Sequence, residues 1–386
     1  MDYLSFLESK PLYYNKIDTK RFPTIYKKLK LDLKATTSIH IVGTNAKGST
    51  GRFIASALHS AGYSVAHYSS PHILKFNERI WLNGADIDDI RLQVAHEKLL
   101  GLLDAQSADR LSYFEYTTLL FVVVATECDY AVVEAGLGGE HDATASLEYQ
   151  LSIFTPIDLD HQALLGDTIE QIATTKLRSM AEVAIVSPQP HAITETIALQ
   201  IAKEGDSKIL KVENLLQKDD IITLLKVATK HELPEYMYDN LQLAAAALNY
   251  LNIEFNSNSF DTRLFGRLSK IGTDIYLDVG HNALAAQAIA DEFKGKKINL
   301  IYNTLEDKEY EVILKILKPI IKEVLIIDID DRRAVDTLAL HGVLEHLNIT
   351  YREFTNIAPD EKYLIFGSFS VAEAFLNRYR SFVDQN

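Results

Sequence analysis

Short runs of β-branched residues that end in Gly or Asp alternate along this chain with longer segments of helical periodicity. This alternation predicts a parallel sheet covered by helices, because neighbouring parallel strands must be joined by a long crossover. The predicted strands are 38–42, 130–134, 151–156 and 183–187, and the pattern restarts with 274–279, 298–303, 323–329 and 363–367. The expected fold class is therefore α/β.

The length of 386 residues predicts two domains. Residues 254–260 separate the two sets of strands and are polar and rich in turn-forming residues. We place the boundary there. Residues 1–254 would form an N-terminal domain with a mostly parallel sheet, and residues 255–386 a smaller α/β domain.

The charge, the length of the apolar runs and the cysteine count limit the kinds of partner that the chain can bind. With 39 Lys and Arg against 53 Asp and Glu, the net charge of −14 argues against nucleic-acid binding through a generally basic surface. Apolar runs such as 119–125 are far shorter than the roughly 20 residues that span a bilayer. The single cysteine, Cys128, cannot form an intramolecular disulfide, which fits a reducing compartment. We expect a cytoplasmic monomer that binds neither membrane nor nucleic acid.

The strongest local signal is the segment 39–51, in which an apolar strand runs into a Gly-punctuated turn and then a helix extending to about residue 61. A helix N-terminus offers unpaired N–H groups to a phosphate, Lys47 can reach outer phosphates, and a hydroxyl of Ser49 or Thr50 could hold phosphate or magnesium. The spacing differs from the general Walker pattern, since three residues separate Gly43 from Lys47 and Gly48 follows the lysine. The alternative is an ordinary glycine-rich turn.

Two more segments lie at strand ends in the N-terminal half. Glu134 ends an apolar strand and precedes a glycine-rich turn, where α/β sheets place their ligands and where a carboxylate suits magnesium. The alternative for Glu134 is a residue that merely caps the turn. Ser70 follows a strand that ends at Tyr68, in a segment that by itself indicates only a loop.

His161 and Lys176 are weaker candidates when they are considered alone. A histidine after a strand is more often structural than a metal ligand. Lys176 lies one turn beyond Ile172, on the apolar face of a helix that Asp167 or Thr168 can cap. In the second domain, Asp278 and His281 fall at another strand end, where they could face the phosphate loop across a cleft, although a turn and helix cap explains the segment 278–282 equally well.

Together these segments resemble the folate-adding branch of the Mur ligase superfamily, folylpolyglutamate synthase and its bifunctional form with dihydrofolate synthase activity. The most specific motifs are GTNAKGST, SSPH with NERI, VVEAGLGG, LDH followed by LGDT and a lysine, and DVGHN. The resemblance implies an N-terminal domain like that of P-loop ATPases and a Rossmann-like C-terminal domain. The implied ATP-binding residues are Asn45, Ala46, Lys47, Gly48, Ser49, Thr50, Arg267, Asp278 and His281.

The same resemblance implies Mg²⁺ contacts from Ser70, Glu134 and His161, and from Lys176 as a carbamate, because a free ammonium cannot ligate a cation. Lys47, Lys176 and His281 are the implied catalytic residues. Ala46 stands where the family usually has glycine, which requires a negative φ at this position.

The implied reaction joins L-glutamate to dihydropteroate, to reduced folates or to both, through an acyl phosphate formed with ATP. Two alternatives stay open. Another amide ligase of the superfamily is one, although only 42 residues precede Gly43, which leaves little room for a preceding nucleotide-sugar domain. A nucleotide-hydrolysing binding module is the other, but it has no need of the segment 278–282 or of Lys176.

Overall fold

The computed structural model describes residues 2–11, 18–29, 31, 36–262 and 264–383. These residues form two compact units, each with its own sheet. The first unit comprises most of the chain up to residue 262. The second comprises the chain from 263 onward together with two short excursions, Leu159–Leu164 and Pro234–Tyr236.

The first unit contains an eight-stranded sheet within the described residues. Its strands are β1 (Thr37–Val42), β2 (Val65–Tyr68), β3 (Ile80–Leu82), β4 (Ala85–Asp86), β5 (Tyr130–Glu134), β6 (Leu151–Phe154), β7 (Val183–Val186) and β8 (Lys208–Lys211). Their order is β4-β3-β2-β5-β1-β6-β7-β8, with only the β2–β3 and β3–β4 pairs antiparallel among these strands. β1 lies between β5 and β6, so the strand that enters the predicted phosphate loop is central and buried.

Helices precede, connect and follow these strands. They are α1 (Tyr3–Glu8), α2 (Arg21–Leu29), α3 (Lys47–Ser60), α4 (Asp89–Leu102), α5 (Ala105–Arg110), α6 (Tyr113–Ala125), α7 (Gln162–Leu165), α8 (Ile169–Leu177), α9 (Ala192–Gly205), α10 (Lys218–Lys230) and α11 (Glu235–Tyr250). α3 packs on β1, β2 and β5, while α1, α4 and α6 contribute to an apolar core that also includes side chains of β2 and β5. α6 is apolar all round and almost wholly buried, as expected for a helix inside the core.

The second unit contains a six-stranded sheet in the order β13-β12-β11-β14-β10-β9. Its elements are β9 (Ser269–Gly272), β10 (Ile275–Leu277), α12 (Ala283–Glu292), β11 (Ile298–Tyr302), α13 (Tyr310–Leu317), β12 (Ile321–Ile326), α14 (Thr337–His346), β13 (Tyr351–Glu353), β14 (Tyr363–Phe366) and α15 (Phe369–Val383). Apart from the antiparallel β9–β10 edge, the described pairs are parallel. The unit has a separate core of buried side chains from its strands and from α12, α13 and α14.

The α/β fold class is therefore confirmed, and the eight strands listed from the sequence are present with slightly different ends. The strand that ends at Tyr68 is also present, as β2, whereas β3, β4, β8, β9 and β13 were not predicted. Cys128 is a buried free thiol. Among the described helices, none combines the length and the apolar character needed to cross a bilayer.

Candidate nucleotide and ligand site

The phosphate loop, residues 43–50, is fastened to the segment that follows β6. The N–H groups of Thr44 and Asn45 donate to the Pro156 carbonyl at 2.9 and 3.4 Å, and Thr155 Oγ1 donates to the Asn45 carbonyl at 2.6 Å. A side chain at Gly43 would collide with the Thr155 hydroxyl, so glycine is required for this close approach. These bonds fix the loop backbone directly ahead of α3.

Ala46 is the N-cap of α3 and adopts a left-handed conformation with φ 71°. The requirement for a negative φ at this position is therefore wrong. The hydrogen bonds of Thr44 and Asn45 hold Ala46 in this conformation, although it costs about 1–2 kcal/mol for an L-residue. Asn45 precedes this residue, and Gly48 lies in the first turn of α3.

Two buried hydroxyls in the first turn of α3 carry no internal hydrogen bond. Ser49 is 2% exposed and Thr50 is 0% exposed. Neither hydroxyl oxygen, Ser49 Oγ or Thr50 Oγ1, has a hydrogen-bond partner among the described residues. An unsatisfied buried hydroxyl costs about 1–3 kcal/mol, so such groups are rare unless a ligand completes them. Their position at a helix N-terminus fits an anionic ligand such as phosphate.

Two lysines converge on the carbonyl of Gly43. Lys47 Nζ donates to this carbonyl at 3.2 Å and to that of Thr44 at 3.1 Å, while Lys176 Nζ donates to the Gly43 carbonyl at 2.9 Å. Lys176 lies in α8, whose N-cap is Thr168, and is only 4% exposed. α8 therefore brings a residue 133 positions away from Gly43 against the phosphate loop.

Glu134 ends β5 beside the same loop. Its carboxylate lies 3.8 Å from Lys47 Nζ and accepts a hydrogen bond from the Ser70 N–H at 3.3 Å. The residue is 5% exposed. The structure thus gathers Lys47, Ser70, Glu134 and Lys176 within the first unit, and a buried carboxylate with an adjoining serine suits a hard divalent cation.

His161 belongs to the second unit, so the structure does not join it to the other three predicted metal contacts within one unit. Its ring Nε2 lies 3.9 Å from Asp160 Oδ1, and its φ is 53°. His281 Nε2 lies 3.7 Å from Asp160 Oδ2. Ligand atoms of Asp160, His161 and His281 lie within 4.8 Å of one another, which is compatible with a cation.

Asp160 is the centre of this arrangement. Lys308 Nζ donates to Asp160 Oδ1 at 2.8 Å, and Asn282 Nδ2 donates to Oδ2 at 3.2 Å. Burial raises the pKa of Asp160, but His281, His161 and Lys308 outweigh it and hold the pKa well below its ordinary value. We name Asp160, His161, His281, Asn282 and Lys308 the Asp160 cluster. Lys308 Nζ also lies 3.3 Å from Asp307 Oδ2, so this one lysine pairs with two carboxylates.

The other predicted residues of the second unit also serve the fold. Asp278 accepts from the N–H groups of Gly280 at 2.7 Å and Leu268 at 2.8 Å, and the Tyr236 hydroxyl donates to it at 3.3 Å. Asn282 is the N-cap of α12. The interpretation of this segment as a turn and helix cap therefore holds, whatever ligand it also serves.

Arg267 follows Gly266, whose φ is 80°. Its guanidinium donates to the Gly266 carbonyl at 3.1 Å and lies 5.9 Å from the centre of the Phe369 ring. The His281 ring packs near the same phenyl ring, with centroids 6.4 Å apart. Arg267 and His281 thus flank one aromatic side chain in the second unit.

Three polar side chains of the cluster, Asp160, Asn282 and Lys308, were not among the predicted site residues. Asp160 directly precedes His161 in the segment that follows β6, and this position was a usable signal. Lys308 lies 148 positions from Asp160, and nothing local marks it as a partner.

The fold and the loop define the class as a two-unit α/β protein with a glycine-punctuated turn between a central strand and the N-terminus of a helix. The crystal structure of Helicobacter pylori folylpolyglutamate synthetase shares 39% sequence identity with this chain, covers 98% of both chains and superposes with a TM-score of 0.79. The chain belongs to the folylpolyglutamate synthase family. The resemblance inferred from the motifs is thereby confirmed.

Other comparisons agree with this assignment. Dihydrofolate synthase/folylpolyglutamate synthase of Haemophilus influenzae is 29% identical over 364 residues, which are 83% of this chain and 81% of the relative. A bifunctional folylpolyglutamate synthase/dihydrofolate synthase crystallised with Mn, AMPPNP and L-glutamate is 22% identical, covers 98% of this chain and 97% of its own, and has a TM-score of 0.79. At 22% identity, this comparison supports the fold alone. No protein-family model matches the chain.

Proposed function

We propose that this chain is an ATP-dependent ligase that joins L-glutamate to dihydropteroate, to reduced folates or to both. Family membership supports the reaction class. The observation on this chain that carries the proposal is the phosphate loop, where two buried hydroxyls have no internal partner beside two lysines. A ligand with several anionic oxygens satisfies these groups together.

The chemistry requires a carboxylate to become electrophilic. A carboxylate oxygen of the acid substrate attacks the γ-phosphorus of ATP, the bond to the bridging oxygen breaks, and ADP leaves. The glutamate amine then attacks the acyl carbon, loses a proton and displaces phosphate. Since both partners of the first step are anions, the residues of the site mainly position them and offset their charge.

In this scheme the N–H groups at the start of α3, with Ser49 and Thr50, hold phosphate oxygens, and Lys47 offsets charge on the transferred group. Lys47 already lies at the loop with 15% of its side chain exposed. Extension from the Gly43 and Thr44 carbonyls would bring its ammonium to a bound phosphate. Asn45, Ala46 and Gly48 shape the turn.

A divalent cation, with Mg²⁺ as the proposed ion, would supply further charge neutralisation at the transferred phosphate. Ser70, Glu134 and His161 are the proposed contacts, together with Lys176 after carbamylation. The buried Glu134 carboxylate beside Ser70 fits such an ion. In the second unit, Arg267, Asp278 and His281 are proposed to contact the nucleotide or the reacting phosphate. A monomeric, cytoplasmic protein without membrane or nucleic-acid partners remains our expectation.

Product mass spectrometry tests the proposal. Purified protein is incubated with ATP, Mg²⁺ and L-glutamate, in parallel with dihydropteroate and with tetrahydrofolate. A gain of one glutamyl residue on both acids would establish two activities, and a gain on one would narrow the enzyme to that activity. ATP hydrolysis without glutamate transfer to either acid would refute the assignment and favour a nucleotide-hydrolysing module.

A further inference from the structure

Arg79 is a buried cation without a carboxylate partner. It ends the short 3₁₀ turn Phe76–Arg79 and is 8% exposed. Its Nε donates to His72 Nδ1 at 2.8 Å, and its guanidinium lies 5.3 Å from the centre of the Tyr113 ring. Within the described part of the chain, no carboxylate oxygen lies within 4 Å of its nitrogens.

Its neighbours cannot supply the missing negative charge. The His72 imidazole accepts from Arg79 Nε through Nδ1 and supplies no carboxylate oxygen. The adjacent carboxylate, Glu78, accepts from the N–H groups of Ile73, Leu74 and Lys75 at 2.7–2.8 Å and so serves the loop. Arg79 is left with an imidazole nitrogen and an aromatic face.

Arg21, in the same unit, shows how a buried arginine is usually paired with a carboxylate. Its side chain is nearly as buried as Arg79, with 10% of it exposed. Unlike Arg79, it forms three hydrogen bonds with the Glu115 carboxylate, the shortest of 2.8 Å. A buried charge is costly unless it is paired, and guanidinium favours the two oxygens of a carboxylate. The contrast indicates that the counter-charge of Arg79 comes from outside the chain.

The surroundings specify the kind of anion. The Arg79 carbonyl accepts from the Ser69 N–H at 2.9 Å, which places Arg79 beside Ser70, whose N–H donates to Glu134. The half-buried rings of His72 and Tyr113 each pack edge-on against Phe76, with centroids 6.3 and 6.4 Å apart. A carboxylate attached to a flat aromatic body matches this combination of a cation and aromatic faces.

We propose that Arg79 binds a carboxylate of the acid substrate, so that substrate binding pairs this buried guanidinium. The proposal rests on the proposed function, because it takes the acid to be a pteroate or folate. It gives Arg79 direct contact with substrate and makes His72 a positioning residue, since the imidazole holds the guanidinium through Nε and leaves both terminal nitrogens for the fork of a carboxylate.

Equilibrium binding of two probes tests this. Dihydropteroate and its carboxamide, in which a neutral amide replaces the carboxylate, are titrated into protein saturated with ADP and Mg²⁺. For the unmodified protein we expect the carboxamide to bind at least about tenfold more weakly, as is usual when a hydrogen-bonded charge is removed. Arg79→Met should weaken dihydropteroate to the level of the carboxamide and leave the carboxamide unchanged.

Arg79→Lys, which keeps the charge but not the fork, should restore part of the preference. Arg91→Met, at an exposed arginine of α4 paired with Asp88, is the matched control and should change neither affinity. Unaltered ADP affinity in each variant checks that the phosphate loop is intact. Equal weakening of both probes by Arg79→Met, or equal binding of both probes by the unmodified protein, would overturn the proposal. Binding of neither probe, with no glutamate transfer in the product assay, would remove the proposed function itself.

Discussion

The phosphate loop and the Asp160 cluster both gather lysines and a carboxylate at strand ends, but they balance charge differently. At the loop, Lys47 and Lys176 share a backbone carbonyl, Glu134 lies 3.8 Å from Lys47, and two buried hydroxyls have no internal partner. In the cluster, Lys308 and Asn282 bond both oxygens of Asp160. Within the described residues, the first arrangement leaves two buried hydroxyls without a partner, whereas in the second both carboxylate oxygens of Asp160 are hydrogen-bonded.

This difference distinguishes a site that could bind a ligand from a cluster that holds side chains in place. A site that leaves hydrogen-bonding capacity unused gives up stability that a ligand returns on binding, as expected at functional sites. A saturated cluster instead fixes the orientation of its members, here His161 and His281. Substitutions at the loop should therefore act mainly on activity, and substitutions in the cluster should also act on stability.

The largest expected effect is at Lys47. Lys47→Met should lower ligase activity about 10²–10³-fold, because a preorganised donor to the transferred phosphate is lost. Stability should change little, since Lys47 bonds only backbone carbonyls and lies 3.8 Å from Glu134. Initial rates of glutamate transfer measure the loss. Lys75→Met, at an exposed lysine, is the control, and a Lys47→Met rate within threefold of the unmodified protein would contradict the comparison.

Asp160→Asn should destabilise the second unit by about 3 kcal/mol, because buried Lys308 would keep only the exposed Asp307 carboxylate, 3.3 Å away, as a counter-charge. Glu134→Gln should change the stability of the first unit by less than about 1 kcal/mol, since Lys47 lies 3.8 Å away and has carbonyl partners. Urea-dependent hydrogen exchange resolves the two units. The double change Asp160→Asn with Lys308→Met should recover part of the loss, and equal losses for Asp160→Asn and Glu134→Gln would erase the distinction.

Acid should act first on the unit that holds the loop. His40 in β1 is fully buried, and desolvation lowers its pKa to about 3 from 6.5. As pH falls below 6.5, His40 becomes protonated in the unfolded chain, whereas in the folded state it stays neutral until about pH 3. The free energy of unfolding should therefore fall by up to about 1.4 kcal/mol per pH unit across this window.

Trp81, the single tryptophan, lies buried in β3 and reports unfolding of this unit by fluorescence. His40→Gln should reduce the dependence of urea stability on pH, and His231→Gln, at an exposed histidine of the same unit, should leave it unchanged. Identical slopes for the unmodified protein and His40→Gln would show that this histidine does not set the acid response.

The smallest effect is expected at Ala46. Ala46→Gly should stabilise the first unit by about 1 kcal/mol, because glycine adopts φ 71° without the penalty of a Cβ. The same replacement in a helix interior, Ala288→Gly in α12, should cost about 1 kcal/mol. Urea denaturation measures the change in the free energy of unfolding for both variants. A loss of stability with Ala46→Gly would mean that the loop is not strained.

Much of the first unit could be predicted because its signals are local. The alternation of β-branched runs and helical segments indicated the parallel sheet, and the turn after β1 carried glycines, a lysine and two hydroxyls in eight residues. Glu134 was visible as a polar residue that ends an apolar strand. The backbone of Ala46 was not, because its left-handed conformation follows from the Pro156 and Thr155 bonds of its neighbours.

By itself, the sequence determined the fold class and the order of the strands along the chain, since periodicity is a property of neighbouring residues. Its motifs, which are also local, predicted the phosphate loop and carried the resemblance to the family. Only the tertiary structure decided which charges are paired. Asp160 meets Lys308 across 148 positions, Lys176 meets the Gly43 carbonyl across 133, and Arg79 meets no carboxylate of the described chain. Such pairings depend on which strand ends the topology brings together, and burial then fixes how much each unpaired group costs.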